Sequence, residues 1–98
     1  MNITKNITGS QLYISLEGRL DTTTAPELDG VLKSSLDGIA ELTIDMEKLD
    51  YLSSAGLRLL LGARKMMNKQ GSMKVTHVNE TIMEIFEVTG FADILTIE

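Results

Sequence analysis

Two hydroxyls stand side by side at Ser53 and Ser54, directly ahead of the apolar run Leu57-Arg58-Leu59-Leu60-Leu61. Serine is favoured at a helix N-cap, where its oxygen accepts a hydrogen bond from one of the amide N–H groups that the first turn leaves unpaired. A helix start also carries a partial positive charge, so a phosphate on either hydroxyl would be received by backbone N–H groups. No lysine or arginine is then needed before Arg58. Gly56, shortly after the serines, keeps side-chain bulk low where the backbone would approach an anion or a partner. The spacing therefore predicts a regulatory site that can carry a phosphate, with plain helix capping as the simpler role for the same serines.

Catalytic readings of these residues fail on spacing. A serine nucleophile on a strand-to-helix turn needs Gly-x-Ser-x-Gly, whereas the first Gly position is Leu52 for Ser54 and Tyr51 for Ser53. A triad would need His77, the single histidine, as its base. The alternation of Met73, Val75 and His77 places that histidine on a strand face, as a packed or edge residue. One histidine and scattered carboxylates show no metal-ligand spacing. Neither Gly-x-x-x-x-Gly-Lys nor Gly-x-Gly-x-x-Gly occurs, so no phosphate-cradling loop for a nucleotide is present. The expectation is a chain that is no enzyme and takes no cofactor or metal.

Charges near the serines fit a switch better. If the sheet brings strand ends together, Asp21, Asp45 and Asp50 surround the hydroxyls. A phosphoserine would add about 1.5 to 2 negative charges beside them. A helix N-terminus returns only about 0.3–1 kcal/mol of stabilisation, whereas burying the anion unpaired in an interface costs several kcal/mol. Partner release, with little change to the fold, is the predicted effect.

The 98 residues suffice for one domain with a single core, spanning 1–98. A net charge of −5 argues against nucleic acid or an anionic membrane surface as the main partner. The absence of cysteine removes disulfides and thiolate chemistry and accords with the cytoplasm. No apolar run is long enough to span a bilayer, and Met1-Asn2-Ile3-Thr4-Lys5 lacks the apolar core of a signal peptide, so neither export by that route nor membrane insertion is expected.

Ile3, Lys5 and Ile7 begin a weakly alternating strand, and Gly9-Ser10 turns it into Leu12, Ile14 and Leu16, a clean period-two pattern. Gly18 and Asp21-Thr22-Thr23-Thr24 end that strand. A helix then starts near Thr24 to Pro26, with Thr24 and Glu27 at capping-box spacing and Gly38 as its stop. Its predicted buried face is Leu28, Val31, Leu32, Ser35 and Leu36. Leu42, Ile44 and Met46 form a third strand, followed by a loop carrying the serines and a helix over about Ala55 to Gln70. On that helix Arg58, Gly62, Lys65 and Lys69 make a narrow solvent stripe. The remaining apolar surface exceeds one sheet contact, so either a neighbouring helix covers the excess or part of it is a docking surface. Met73, Val75 and His77 form a fourth strand; Asn79 caps a third helix, with Ile82, Ile85, Phe86 and Thr89 inward and Gly90 at its end. Ile94, Leu95 and Ile97 are a last short strand. The order β-β-α-β-α-β-α-β implies an α/β fold, a mixed sheet with helices packed on it and right-handed crossovers.

The stretch Asp45-Met46-Glu47-Lys48-Leu49-Asp50-Tyr51-Leu52-Ser53-Ser54-Ala55-Gly56-Leu57-Arg58 resembles the signature of STAS domains, in particular the small single-domain anti-sigma factor antagonists of bacteria. Glu17-Gly18-Arg19-Leu20-Asp21 is similar to that family's first turn, and the resemblance covers nearly the whole chain. It implies the STAS fold and a specific switch. The unphosphorylated antagonist binds an anti-sigma factor that is a serine kinase and frees the sigma factor; the kinase phosphorylates the serine matching Ser54, and a serine phosphatase resets it. Ser53 is the second choice for the phosphate. The kinase-binding face implied by the resemblance comprises Asp21, Thr22, Asp45, Ser53, Ser54, Ala55, Gly56, Leu57 and Arg58. Ser53 stands where well-known members have Asp, and Ala55 where they often have a second Ser or Thr. The alternative within the same fold is a STAS subunit that is never phosphorylated and holds together a transporter or signalling complex, such as a membrane lipid-transport assembly.

Overall fold

Strand alternation decides which face of the sheet is covered. In the computed structural model, which describes residues 1–98, β1 (Asn2–Thr8) and β2 (Gln11–Leu20) form an antiparallel hairpin, β3 (Glu41–Leu52) runs parallel to β2, and β4 (Ser72–Thr76) runs parallel to β3. The sheet order is β1-β2-β3-β4. Leu12, Ile14 and Leu16 of β2, Leu42, Ile44 and Met46 of β3, and Met73 and Val75 of β4 are buried on one face. Their alternates lie on the other face, where Gln11, Tyr13, Glu41 and Ser72 are exposed, Ser15, Thr43, Lys74 and Thr76 half-buried, and Asp45 buried. Two crossovers of the same right hand stepping in one direction across the sheet place their helices on one face. The helices α1 (Ala25–Ser35), α2 (Ser54–Asn68) and α3 (Glu80–Thr89) cover the apolar side, and the polar side is left open.

Local chemistry positions each helix. Pro26 sits in the first turn of α1, where its missing N–H costs nothing, and Leu28, Leu32 and Ser35 face inward. Ser35 is buried because it accepts a hydrogen bond from Lys5 Nζ at 3.1 Å, which explains why a lysine shares a strand face with Ile3 and Ile7. The Thr24–Glu27 capping box does not form. Thr24 Oγ1 instead donates to Arg19 O at 2.7 Å and accepts from Asp21 N at 2.9 Å, so its hydroxyl closes the turn ahead of the helix.

Asn79 makes the cap expected of it on α3: its Oδ1 accepts from Ile82 N at 3.0 Å while its Nδ2 donates to Leu49 O at 2.8 Å. One side chain thereby fixes the helix start and ties it to β3. Asn79→Ala should lower unfolding stability by about 1–2 kcal/mol, read from urea denaturation, and Asn79→Asp should recover the cap without the tie to Leu49. A loss under about 0.5 kcal/mol, the scatter of surface changes, would contradict this account. Ile82 and Phe86 are buried on α3, Ile85 is half-buried, and Thr89 is exposed with its hydroxyl donated to Ile85 O at 2.7 Å.

Several boundaries differ from the sequence reading. β2 does not stop at Gly18 but passes through it at φ +105 to Leu20, and the β2–β3 register shifts between Ser15 and Glu17 and again between Gly18 and Arg19. β3 continues to Leu52, so the expected loop before the serines is strand. α2 spans Ser54–Asn68, slightly earlier at both ends than Ala55 to Gln70. The last strand shrinks to a single parallel bridge, Val75 to Ile97, because Phe91–Asp93 form a 3-10 turn first. No helix is long and apolar enough to cross a membrane.

Candidate functional site

The parallel β2–β3 pairing brings two chain reversals together. Leu20 pairs with Leu52, and Ser53 N donates to Leu20 O at 2.9 Å, so the turn into α1 and the start of α2 lie side by side. Ser53 is the extended N-cap of α2, and its carbonyl accepts from Leu57 N at 3.0 Å. Its side chain makes no cap: Ser53 Oγ is buried without a hydrogen-bond partner. Ser54 is the first helical residue and is exposed. With no acidic residue in its first turn, α2 presents unpaired N–H groups and its positive end beside that hydroxyl.

Gly56 faces inward, contrary to the expectation that it clears room for an anion or a partner. It is buried, and a Cβ there would lie 2.6 Å from Leu52 Cδ1 and 2.8 Å from Leu20 Cγ. Glycine lets the helix start settle on the two strand ends. Leu57 is buried beside it, whereas Arg58 is exposed.

Asp21 takes the turn role. Its Oδ1 accepts from Thr23 N at 3.0 Å and Thr24 N at 3.2 Å. Burial opposes its charge, but the Thr24 and Thr23 N–H groups and hydroxyls outweigh it and hold the carboxyl below 3.8. A depressed folded value means the contribution to stability is complete above the unfolded value and is lost as pH falls through the folded one. The stability difference between wild type and Asp21→Asn should therefore be constant above about pH 5 and shrink below pH 3.8. Urea midpoints across that range test it; a difference that grows on acidification would refute it. Thr22 is exposed, and the Arg19 guanidinium lies 4.3 Å from the Tyr51 ring centroid, beside Asp21.

The surplus apolar surface of α2 is covered in part and open in part. Leu57, Leu60, Ala63 and Met67 are buried, while a groove of about 660 Å³ remains open between α1 and α2. Ala25, Pro26 and Leu32 line one wall, and Ala55, Leu59 and Met66 the other. Met66 is 46% exposed, and Asp29, Lys33 and Arg58 supply charges at the groove. Thr22 and Ala55 also line it, which connects it to Asp21 and Ser54 along the chain.

Asp45 is not part of this cluster. It pairs with Ser15 and Thr76, whereas Leu52, just before Ser53, pairs with Leu20; the five residues of β2 from Ser15 to Leu20, at about 3.3 Å each, put Asp45 roughly 17 Å from the end of β3. Asp50 is exposed. Asp45 is buried on the polar face, where Tyr13 Oη donates to its Oδ2, Glu47 N donates to Oδ1 at 2.9 Å, and His77 Nδ1 lies 3.1 Å from Oδ2. Burial opposes its charge, yet Tyr13, the Glu47 N–H and His77 together hold its carboxyl below the ordinary value. The same hydrogen bond pushes the Tyr13 phenol up to about 12. His77 is not on a strand face with Met73 and Val75. It follows the end of β4 in the left-handed region at φ 54, with a 63% exposed side chain. The gathering of Asp45, Glu47 and His77 escaped the sequence reading because it depends on the β3–β4 register; the Asp-x-Glu spacing on one strand face was its only local signal.

The architecture is a one-sided mixed sheet with a bare helix start next to an open apolar groove. The chain belongs to the STAS domain family, whose model matches residues 2–98. Relatives within that family are anti-sigma factor antagonists: the anti-sigma-B factor antagonist of Bacillus subtilis (strain 168) is 31% identical over 100 residues, covering 99% of this chain and 92% of the relative. Solved structures share the fold. An anti-sigma factor antagonist from Mycobacterium paratuberculosis superposes with a TM-score of 0.88 at 21% identity, covering 98% of this chain and 83% of that one. The anti-sigma factor antagonist SpoIIAA in its unphosphorylated form gives a TM-score of 0.78 at 16% identity, covering 99% and 87%.

Proposed function

We propose that this chain is an anti-sigma factor antagonist that binds an anti-sigma factor with serine kinase activity, thereby freeing the sigma factor, and that phosphorylation of Ser54 ends the binding. The observation that carries the reading is the exposed hydroxyl of Ser54 on the first turn of α2, a turn without acidic residues, beside the open α1–α2 groove. The groove supplies apolar area for a partner, and Asp29, Lys33 and Arg58 supply a charged margin that discriminates among partners. Ser53 is the poorer acceptor because its oxygen is buried, whereas Ser54 is accessible to a kinase. The named antagonism of the Bacillus subtilis relative supports the partner class. SpoIIAA, which shares the fold, is described in both unphosphorylated and phosphorylated forms. A phosphatase acting on phospho-Ser54 completes the cycle, and the cytoplasm is where such partners meet.

The test is intact-mass measurement after incubation with candidate serine kinases of the anti-sigma type, on wild type, Ser53→Ala and Ser54→Ala. A single added phosphate in wild type and Ser53→Ala, absent in Ser54→Ala, is the expected result. Phosphate retained in Ser54→Ala moves the site; no phosphate in any sample, with a stable complex to a non-kinase, favours a scaffold role.

A further inference from the structure

We propose that Asp45, Glu47 and His77 form a binding site for a divalent transition-metal ion of the zinc type on the open face of the sheet. Ligand atoms of all three residues lie within 4.8 Å of one another. Zinc binds imidazole nitrogen and carboxylate oxygen at about 2.0–2.2 Å, so a tetrahedral site sets neighbouring donors about 3.3 Å apart. His77 Nδ1 and Asp45 Oδ2 are already 3.1 Å apart. The ion takes the place of the hydrogen now between them, using one lone pair of Oδ2 while the other keeps its bond from Tyr13.

The donors are held as metal ligands are held. Asp45 is fixed by Tyr13 Oη and by Glu47 N, the outer bonds that orient a ligating carboxylate. Glu47 and His77 are exposed and can close on an ion without disturbing the core. Thr76 pairs with Asp45 across β3 and β4, and its buried hydroxyl has no hydrogen-bond partner. An imidazole in the set selects zinc-like ions over magnesium and calcium, which prefer all-oxygen sites. Such an ion joins β3 to the end of β4, with β2 linked through Tyr13. Because Asp45 is separated from the serines along β3, the site is independent of the Ser54 switch.

The test uses the untagged chain, in which His77 is the single histidine, stripped with chelator and titrated with zinc chloride by calorimetry, with cobalt(II) absorption as the coordination probe. The expected result is one ion per chain, a tetrahedral cobalt spectrum, and a Tm raised by about 5 °C or more at saturating zinc. His77→Gln and Glu47→Gln should each weaken binding at least tenfold while leaving the far-ultraviolet circular dichroism unchanged. No stoichiometric binding below about 1 mM, a range in which a weak site of about −4 kcal/mol would still register, overturns the proposal. So does wild-type affinity in either variant.

Discussion

Gly71→Ala lowers the stability of the domain by about 3 kcal/mol or more. A Cβ at this position would lie 1.8 Å from Ala40 O and 2.6 Å from Ala40 C, which are backbone atoms that no rotamer change can move. Ala40 O also accepts from Ser72 N at 2.9 Å, and Glu41 pairs with Ser72 as β3 and β4 begin. Relieving the clash therefore displaces the first rung of the parallel ladder, beyond the ~1–3 kcal/mol typical of overpacking among side chains. At about 4–8 °C per kcal/mol for a domain of this size, Tm should fall by roughly 12 °C or more. The matched control is Gly30→Ala, where nothing lies within 4 Å of the added methyl in mid-helix and a gain of about 0.5–1 kcal/mol is expected. Urea denaturation of both separates a steric requirement from the general entropy of glycine; equal effects at the two positions would refute the steric account.

Gly71 and Gly56 also mark the limit of what the sequence carries. Either glycine can be read as a small residue at a helix end, but the atoms they make room for include those of Ala40 and Leu20, distant in sequence. The alternating triplets of β2, β3 and β4 were legible because one face of each strand is buried and the other is not, and the helices because apolar residues recur with their period and Asn79 caps. The second half of β3 was not. Met46, Leu49 and Leu52 are buried at a spacing of three, since the register shifts opposite Glu17 and Arg19 insert extra residues into β3, and that spacing does not look like a strand. The last strand failed for the opposite reason: Ile94, Leu95 and Ile97 have strand composition, but the 3-10 turn over Phe91–Asp93 leaves only Ile97 to pair with Val75. At the candidate site, the placement of Ser53 and Ser54 at a helix start was legible from local signals. The separation of Asp45 from the serines was not, because it depends on how far β3 runs.

Phosphorylated Ser54, or Ser54→Glu, should bind the cognate anti-sigma factor at least 100-fold more weakly than the unmodified chain, with unfolding stability within about 0.5 kcal/mol of wild type. The free chain tolerates the charge because Ser54 is exposed, the start of α2 carries no competing carboxylate, and Arg58 lies one turn further on. The helix end contributes about 0.3–1 kcal/mol and an exposed pair with Arg58 about 0.3–0.5 kcal/mol, small terms that offset the repulsion from Asp21 nearby. A partner seated on the α1–α2 groove changes the balance, since covering Ser54 removes water from a group of about 1.5 to 2 negative charges. An uncompensated buried anion costs several kcal/mol, and about 2.7 kcal/mol already corresponds to 100-fold. Ser53→Ala makes the sharper comparison. Its buried oxygen has no partner to lose, so that variant should keep both its stability and its affinity. Titration calorimetry of the four forms against the purified anti-sigma factor decides the matter: undiminished affinity in phosphorylated Ser54 and Ser54→Glu would place Ser54 outside the interface and sink the switch.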